Sequence, residues 1–151
     1  MTGKTNIEED LFIADILSRN KIIAMVGASK NWKRPSNFVM KYLQKNGYKV
    51  IPVNPSTAGK EILGELCYSS LEEIPIKIDM VNIFRPSEFC PSIAKAAIKV
   101  GVKTIWMQLG IINEEVVKLG EKANIKVIFD KCPKMEHTKL SGALGLAGFN
   151  S

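Results

Sequence analysis

The chain has 151 residues, of which 46% are hydrophobic and 24% are charged, and its formal net charge is +6. This length suits one domain with its own hydrophobic core, and this composition excludes a disordered, collagen-like or coiled-coil chain. No run of about 18 apolar residues could span a membrane, and the first residues lack the basic and apolar regions of a secretion signal. We therefore expect one domain over 1–151 in a cytoplasmic protein that does not bind membranes.

The positive charge is concentrated in one part of the sequence. Residues 21–60 carry eight basic side chains and no acidic one, whereas basic and acidic side chains balance over 61–151. We therefore expect an anionic partner to bind through 21–60, and both a phosphorylated cofactor and a nucleic acid fit this charge. The three cysteines are widely spaced and the chain has a single histidine, which argues against disulfides and a metal site.

Helix-like segments alternate with short apolar runs along the chain. The helical patterns cover Ile7–Leu17 within an N-terminal helical region (1–20), Pro35–Asn46, Pro86–Val100 and Asn113–Ala123. The apolar runs predict strands over Lys21–Gly27, Tyr48–Val53, Ile78–Phe84, Lys103–Met107 and Ile125–Phe129. Because these runs are unbroken, they are typical of parallel strands covered on both faces. The alternation predicts an α/β fold, a single Rossmann-like doubly wound parallel sheet of about five strands flanked by helices.

Two segments show no such regularity. Residues 55–77 are irregular, and their end, at 70–75, predicts one helical turn before the third strand. Residues 141–151 are rich in Gly, Ala and Leu without clear periodicity, so we expect a tail that is loosely held or lies on a neighbouring chain.

Ligands of open α/β sheets bind outside the C-terminal ends of the strands, where the strand order reverses. This rule selects four loops as the candidate site. They are Gly27-Ala28-Ser29, Asn54-Pro55, Arg85-Pro86 and Gln108-Leu109-Gly110.

The first of these loops has the features of a phosphate site. Its small residues, Gly27-Ala28-Ser29, let a phosphate approach the backbone, and Pro35 begins a helix whose N-terminus attracts anions. Ser29 and Ser36 add hydroxyl groups, and the positive charges come from Lys30, Lys33 and Arg34. The same pattern also fits a tight turn followed by a solvated basic loop, and that alternative stays open.

The sequence argues against NAD and against a self-contained catalytic site. The first loop lacks the Gly-x-Gly-x-x-Gly pattern, and the second strand ends Val53-Asn54-Pro55 without the acid that holds an adenosine ribose. His137 has no nucleophile near it in sequence, and we interpret it as structural. We interpret Cys132 as a packed thiol. Trp32 could stack on a base or simply cover the basic loop. We therefore name no catalytic residue.

Taken in order along the chain, several short motifs resemble those of one known family. The motifs are Val26-Gly27-Ala28-Ser29, Arg34-Pro35-Ser36, Pro52-Val53-Asn54-Pro55, Tyr68-Ser69-Ser70-Leu71, Asp79 through Phe84-Arg85, Ile105-Trp106-Met107-Gln108 and Asp130-Lys131-Cys132-Pro133. Over about residues 10–140 the chain resembles the small stand-alone CoA-binding proteins, whose domain is similar to the N-terminal domain of the succinyl-CoA synthetase α subunit. The ordered set is specific, although each motif alone is weak.

The resemblance implies how coenzyme A (CoA) would lie across the loops. The pyrophosphate and nucleotide would contact Gly27, Ala28, Ser29, Arg34, Pro35 and Ser36, and the nucleotide would be bordered by Val53, Asn54 and Pro55. The pantetheine arm would pass Phe84, Arg85, Pro86, Gln108 and Gly110. The first loop lacks the additional glycines of the synthetase α subunit, and the synthetase's second domain with its phosphorylated histidine has no counterpart here. Ligase activity is therefore not implied for this chain alone.

These observations predict a protein that binds CoA or a short acyl-CoA without catalytic machinery of its own. One alternative is an enzyme subunit that uses acyl-CoA or a nucleotide and depends on a partner for its catalytic groups. A nucleic-acid-binding module would use the +8 charge of residues 21–60, but no recognised nucleic-acid motif is present. We therefore expect no nucleic acid among the partners, whereas a homo-oligomer or a partner protein is compatible with the sequence.

Overall fold

The structure is a computed structural model that describes residues 6–146, with side chains for residues 7–142. The helices are α1 (Asn6–Arg19), α2 (Pro35–Lys45), α3 (Cys90–Val100), α4 (Glu114–Lys122) and α5 (Pro133–Leu146). The strands are β1 (Ile22–Val26), β2 (Lys49–Val53), β3 (Glu61–Ile62), β4 (Glu65–Leu66), β5 (Met80–Ile83), β6 (Thr104–Met107) and β7 (Lys126–Ile128). No helix in this described part is long and apolar enough to cross a membrane.

Five of the strands form one parallel sheet in the order β2-β1-β5-β6-β7. The strand order reverses between β1 and β5, which makes this the switch point where such sheets bind ligands. In the register of the sheet, Val26 lies beside Val53 on one side and beside Ile83 on the other. The C-terminal ends of the three strands are therefore level. The predicted Rossmann-like sheet of five strands is confirmed.

Helices cover both faces of the sheet and bury its strands. Helices α1, α2 and α5 pack on the face that carries Met25, Met80 and Trp106, and we call it the tryptophan face. Helices α3 and α4 pack on the opposite face, which carries Val81 and Ile105. Residues of both faces are fully buried, as expected from unbroken apolar runs in the sequence.

The helix predicted over Pro86–Val100 begins later than expected. A 3₁₀ turn covers Ser87–Phe89, and the α-helix starts at Cys90 with Pro91 in its first turn. Proline is tolerated only there, because further inside a helix its missing N–H and its ring break the hydrogen-bond ladder. A helix from Pro86 would have placed Pro91 in its second turn. The other predicted helices and strands are present, with ends that differ by one or two residues.

Residues 55–77 contain a short hairpin that the sequence did not predict. Strands β3 and β4 pair antiparallel, and the turn residues between them, Leu63 and Gly64, have φ angles of 49° and 85°. Two positive φ angles define the tight turn that joins hairpin strands, and Asn-Gly is its usual sequence, not Leu-Gly. The helical turn expected at 70–75 is present as a 3₁₀ turn over Leu71–Glu73.

The C-terminal part of the chain is more regular than the sequence predicted. Helix α5 continues through residues 141–146, which we expected to belong to a loosely held tail, and 147–151 lie outside the described residues. His137 and Leu140 are buried one turn apart and fix the helix against α1 and α2. Tertiary packing, not sequence periodicity, therefore accounts for α5.

Two helical glycines, one in α4 and one in α5, provide a test of how closely α4 packs on β7. A Cβ atom on Gly120 in α4 would lie 2.3 Å from Val127 Cγ2 and 3.2 Å from the Ile125 carbonyl oxygen, whereas a Cβ on Gly142 in α5 would meet nothing within 4 Å. We expect Gly120→Ala to destabilise the protein by about 1–3 kcal/mol because it overpacks the contact between α4 and β7. We expect Gly142→Ala to stabilise it by about 0.5–1 kcal/mol through helix propensity.

Urea unfolding monitored by circular dichroism gives both free energies of unfolding. Equal increases in the free energy of unfolding from the two substitutions would contradict the close packing of α4 on β7.

Candidate functional site

The ends of β1, β2 and β5 are joined directly by backbone hydrogen bonds. The Gly27 N–H donates to the Val53 carbonyl oxygen (2.9 Å), and the Phe84 N–H donates to the Val26 carbonyl oxygen (2.8 Å). Gly27 has a φ of +91°, and a Cβ atom there would lie 2.6 Å from the Phe84 carbonyl oxygen. Only glycine fits this position, because any larger residue would clash with the backbone of the neighbouring strand.

Two amide side chains, the partly buried Asn54 and the buried Asn37, hold the backbone of the first loop. The Asn54 side-chain N–H donates to the Ala28 carbonyl oxygen (2.9 Å), and the Asn37 side-chain N–H donates to the Ser29 carbonyl oxygen (3.0 Å). Ser29 Oγ accepts a hydrogen bond from the Asn31 N–H (3.1 Å), so its own proton can be donated to a ligand. The loop is therefore fixed in shape before any ligand binds.

The cations of this loop project into solvent. Lys30, Lys33 and Arg34 are exposed, and none of them forms an ion pair with a carboxylate in the described part of the chain. Trp32 is 69% exposed, and Lys33 Nζ lies 5.5 Å from the centre of its ring. Pro35 is exposed at the start of α2, but Ser36, which we predicted as a hydroxyl donor, is only 4% exposed.

A cavity of about 560 Å³ lies between the ends of β1 and β2, the segment after β4 and the N-terminal half of α3. Its apolar lining residues are Val26, Val53, Leu71, Phe89, Ile93 and Ala96, and its polar ones include Asn54, Ser56, Ser69, Ser70, Glu72 and Ser92. Arg85 lies at its side, and the guanidinium carbon is 4.3 Å from the centre of the Phe89 ring. We call this space the switch-point cavity.

The predicted site residues divide between the cavity and its surroundings. Those that line the switch-point cavity are Gly27, Val53, Asn54, Pro55 and Arg85. Those that lie outside its lining are Ala28, Ser29, Lys33, Arg34, Pro35, Ser36, Phe84, Pro86, Gln108 and Gly110. Ala28 is buried, and Phe84 packs on the core of the tryptophan face. The Gly110 N–H donates to Asp130 Oδ1 (2.7 Å).

Our candidate site omitted one wall of this cavity, which is formed by residues 69–72 and α3. The chain reaches it through Tyr68, whose N–H donates to the Pro52 carbonyl oxygen (3.0 Å) and whose carbonyl oxygen accepts from the Asn54 N–H (2.9 Å). These bonds extend the edge of β2 by one parallel bridge. The Tyr-Ser-Ser-Leu motif at 68–71 was the available signal, because it already belonged to the ordered set of motifs.

The buried cysteines and the histidine have structural surroundings. His137 is 1% exposed, and its Nδ1 lies 2.7 Å from the Tyr42 hydroxyl oxygen. Cys67 and Cys90 are fully buried, and this burial raises the pKa of both thiols. Among the described residues, no group of His, Cys, Asp and Glu could hold a metal ion.

A parallel five-stranded sheet with a glycine-fixed loop at its switch point defines a Rossmann-like α/β protein. The model of the CoA-binding domain family matches residues 21–138, and the chain therefore belongs to that family. This confirms the resemblance derived from the motifs.

Relatives of two kinds are similar to this chain. YneT, an uncharacterized protein of Bacillus subtilis, is 42% identical over 125 residues, which are 83% of this chain and 91% of YneT. A hypothetical protein of Pyrococcus horikoshii superposes with a TM-score of 0.85 at 40% identity, covering 93% of this chain and 94% of that one. The ADP-forming acetate–CoA ligase I of Archaeoglobus fulgidus is 28% identical over 131 residues, which are 80% of this chain but 19% of the ligase.

Proposed function

We propose that this protein binds CoA or a short acyl-CoA across the C-terminal edge of its sheet. The observation that carries the proposal is the position of a preformed basic loop beside the switch-point cavity, in a member of the CoA-binding domain family. CoA combines a purine nucleotide, several phosphates and a long neutral arm. The C-terminal edge of the sheet offers an apolar cavity for the nucleotide, a cationic loop for the phosphates and further loops for the arm.

The switch-point cavity suits the adenosine part of the ligand. Its volume of about 560 Å³ lies within the usual range for small-molecule sites. The Val53 and Ile93 side chains supply apolar contacts for the faces of a purine. The Ser69 and Ser70 hydroxyls donate to Glu73, so their oxygens can accept hydrogen bonds from the amino group at the purine edge. Arg85 adds a positive charge at the side of the cavity, where a phosphate attached to the ribose can reach it.

The first loop suits the diphosphate. Ser29 offers a hydroxyl donor, the N-terminus of α2 offers a positive dipole, and Lys33 and Arg34 offer charges that no carboxylate among the described residues neutralises. Phosphate binding would supply the missing counter-charges. The neutral pantetheine arm would then continue past Phe84 and Pro86 towards Gln108 and Gly110.

The end of β2 supports CoA over NAD. Asn54 stands where a dinucleotide-binding domain of this type carries an acid for the ribose. Its amide N–H is donated to the Ala28 carbonyl oxygen, and its Oδ1 accepts from the N–H and hydroxyl of Ser56. Asn54 therefore builds the loop and offers no carboxylate to a ribose hydroxyl.

A second candidate is a CoA-binding subunit whose catalytic groups come from a partner protein. The observation in its favour is the ligase of Archaeoglobus fulgidus, because this chain matches only 19% of that enzyme. In both candidates this chain holds the cofactor and does not perform acyl transfer itself.

Ligand choice tests the proposed function. We expect CoA and acetyl-CoA to stabilise the protein more than NAD at equal concentration, because the first loop has cations for phosphates and β2 ends at Asn54 without the acid that holds the adenosine ribose of NAD. A ligand at about 100 times its dissociation constant adds about 2.7 kcal/mol to the free energy of unfolding. Differential scanning fluorimetry measures the effect, and a rise in melting temperature with NAD but not with CoA would refute the proposal.

Substitution of two exposed cations, one in the loop before α2 and one at the end of α2, distinguishes a specific phosphate site from a general positive surface charge. We expect Arg34→Ala to weaken CoA binding by roughly 1.5–3 kcal/mol, the value of a charge-assisted hydrogen bond. Lys45→Ala removes an equal charge from the other end of α2 and should change the affinity little. Isothermal titration calorimetry compares the two variants.

Equal losses from both substitutions would indicate a diffuse positive potential. That result would favour the nucleic-acid alternative, which a salt titration of DNA binding would then examine.

A further inference from the structure

Asn82 is a polar residue in the middle of an otherwise apolar strand. It is fully buried in β5, where its neighbours along the strand are Met80, Val81 and Ile83. In the sheet it lies between Met25 of β1 and Trp106 of β6, so its side chain points to the tryptophan face.

The Asn82 amide is only partly satisfied. Its Nδ2 donates to the Trp106 carbonyl oxygen (3.3 Å) and to Gln108 Oε1 (3.5 Å). Its Oδ1 is buried and has no hydrogen-bond partner in the part of the chain that the structure describes. A buried acceptor left without a donor destabilises a fold, so an apolar residue of similar size would make the sheet more stable here. Folding alone does not explain an asparagine at this position.

Gln108 is the residue on which Asn82 acts. It follows β6 at the C-terminal edge and is 8% exposed. Its backbone is fixed, because its N–H donates to the Ile83 carbonyl oxygen (3.2 Å) and its carbonyl oxygen accepts from the Ile111 N–H (2.8 Å). Its side-chain Oε1 accepts a hydrogen bond from Asn82 Nδ2, on the side of the sheet interior. The other end of the carboxamide, with two N–H donors, is therefore directed away from the sheet interior.

We propose that Asn82 is a positioning residue that holds the Gln108 carboxamide with its N–H donors towards the C-terminal edge. There they bind a carbonyl oxygen of the pantetheine arm or of the thioester. This inference rests on the proposed CoA-binding function. An uncharged amide gives a neutral carbonyl a good partner, whereas the phosphates have cations of their own at the first loop. Asn82 would therefore act on the arm of the ligand and not on its nucleotide.

The test compares two substitutions that each remove a buried, unpartnered polar atom. Asn82→Leu removes the support of Gln108. Thr104→Val is the matched control, because Thr104 Oγ1 is also buried without a partner among the described residues but lies at the opposite end of β6. Calorimetry with CoA and with adenosine 3′,5′-bisphosphate, which lacks the arm, gives the two affinities of each variant.

We expect Asn82→Leu to weaken CoA binding about tenfold, without changing the affinity for the bisphosphate and without lowering the melting temperature. Thr104→Val should change neither affinity. Gln108→Leu should cause the same tenfold loss for CoA, and adding Asn82→Leu to it should cause no further loss. Gln108→Leu alone tests whether the Gln108 carboxamide contacts the arm, whatever the stability of Asn82→Leu.

Equal losses for CoA and the bisphosphate, or no loss for either, would overturn the positioning role. Additive losses in the double variant would overturn it as well.

The nitrogen-15 NMR signals of the Gln108 side chain separate this inference from the proposed function, because they need no ligand. We expect two well-dispersed N–H signals that collapse towards free-amide values in Asn82→Leu, even if wild-type protein were found not to bind CoA. Signals that are the same in both proteins would overturn the inference whatever the ligand.

Discussion

The contact between Gly27 and Phe84 is the constraint on which the candidate site depends. It presses the end of β1 directly against the end of β5, at a distance that no side chain at residue 27 would permit. The loops after β1, β2 and β5 consequently meet at one point. A methyl group at residue 27 would force the two strand ends apart. The first loop would then move away from the switch-point cavity, and the cationic and apolar parts of the site would separate.

Most of the sheet could be predicted from the sequence because its strands are buried on both faces. Such strands have unbroken apolar runs, and glycine or proline marks several of the helix ends, as Pro35 and Gly101 do. The parts that escaped prediction are stabilised by long-range contacts. The β3–β4 hairpin turns at Leu63-Gly64 without a strong turn sequence, and α5 depends on the burial of His137.

The candidate site was predictable by loop but not by side chain. The rule for parallel sheets selected the edge at which the switch-point cavity lies, yet it does not say towards which face a residue points. Ser36 follows the exposed Pro35 and is nevertheless buried, whereas Asn37, for which no sequence pattern predicted a role, donates to the Ser29 carbonyl oxygen. Which of the selected residues contact CoA stays a prediction.

The positive charge of the first loop is the feature that favours an anionic ligand. The cations of the first loop, which no carboxylate of the described residues neutralises, are held on a rigid backbone beside a preformed apolar cavity, so little ordering is needed when an anionic ligand binds. Under the proposed function, the protein would hold the cofactor while another protein performs the chemistry, and a match to only 19% of a ligase is compatible with that arrangement.

Backbone NMR of the nitrogen-15-labelled protein during titration with CoA tests this account most directly. If CoA binds at the C-terminal edge of the sheet, the largest shift changes will fall at residues 27–36, 53–56, 69–72, 84–89 and 108–110. Largest changes at the opposite edge, around Lys21, Lys49 and Lys103, would contradict it.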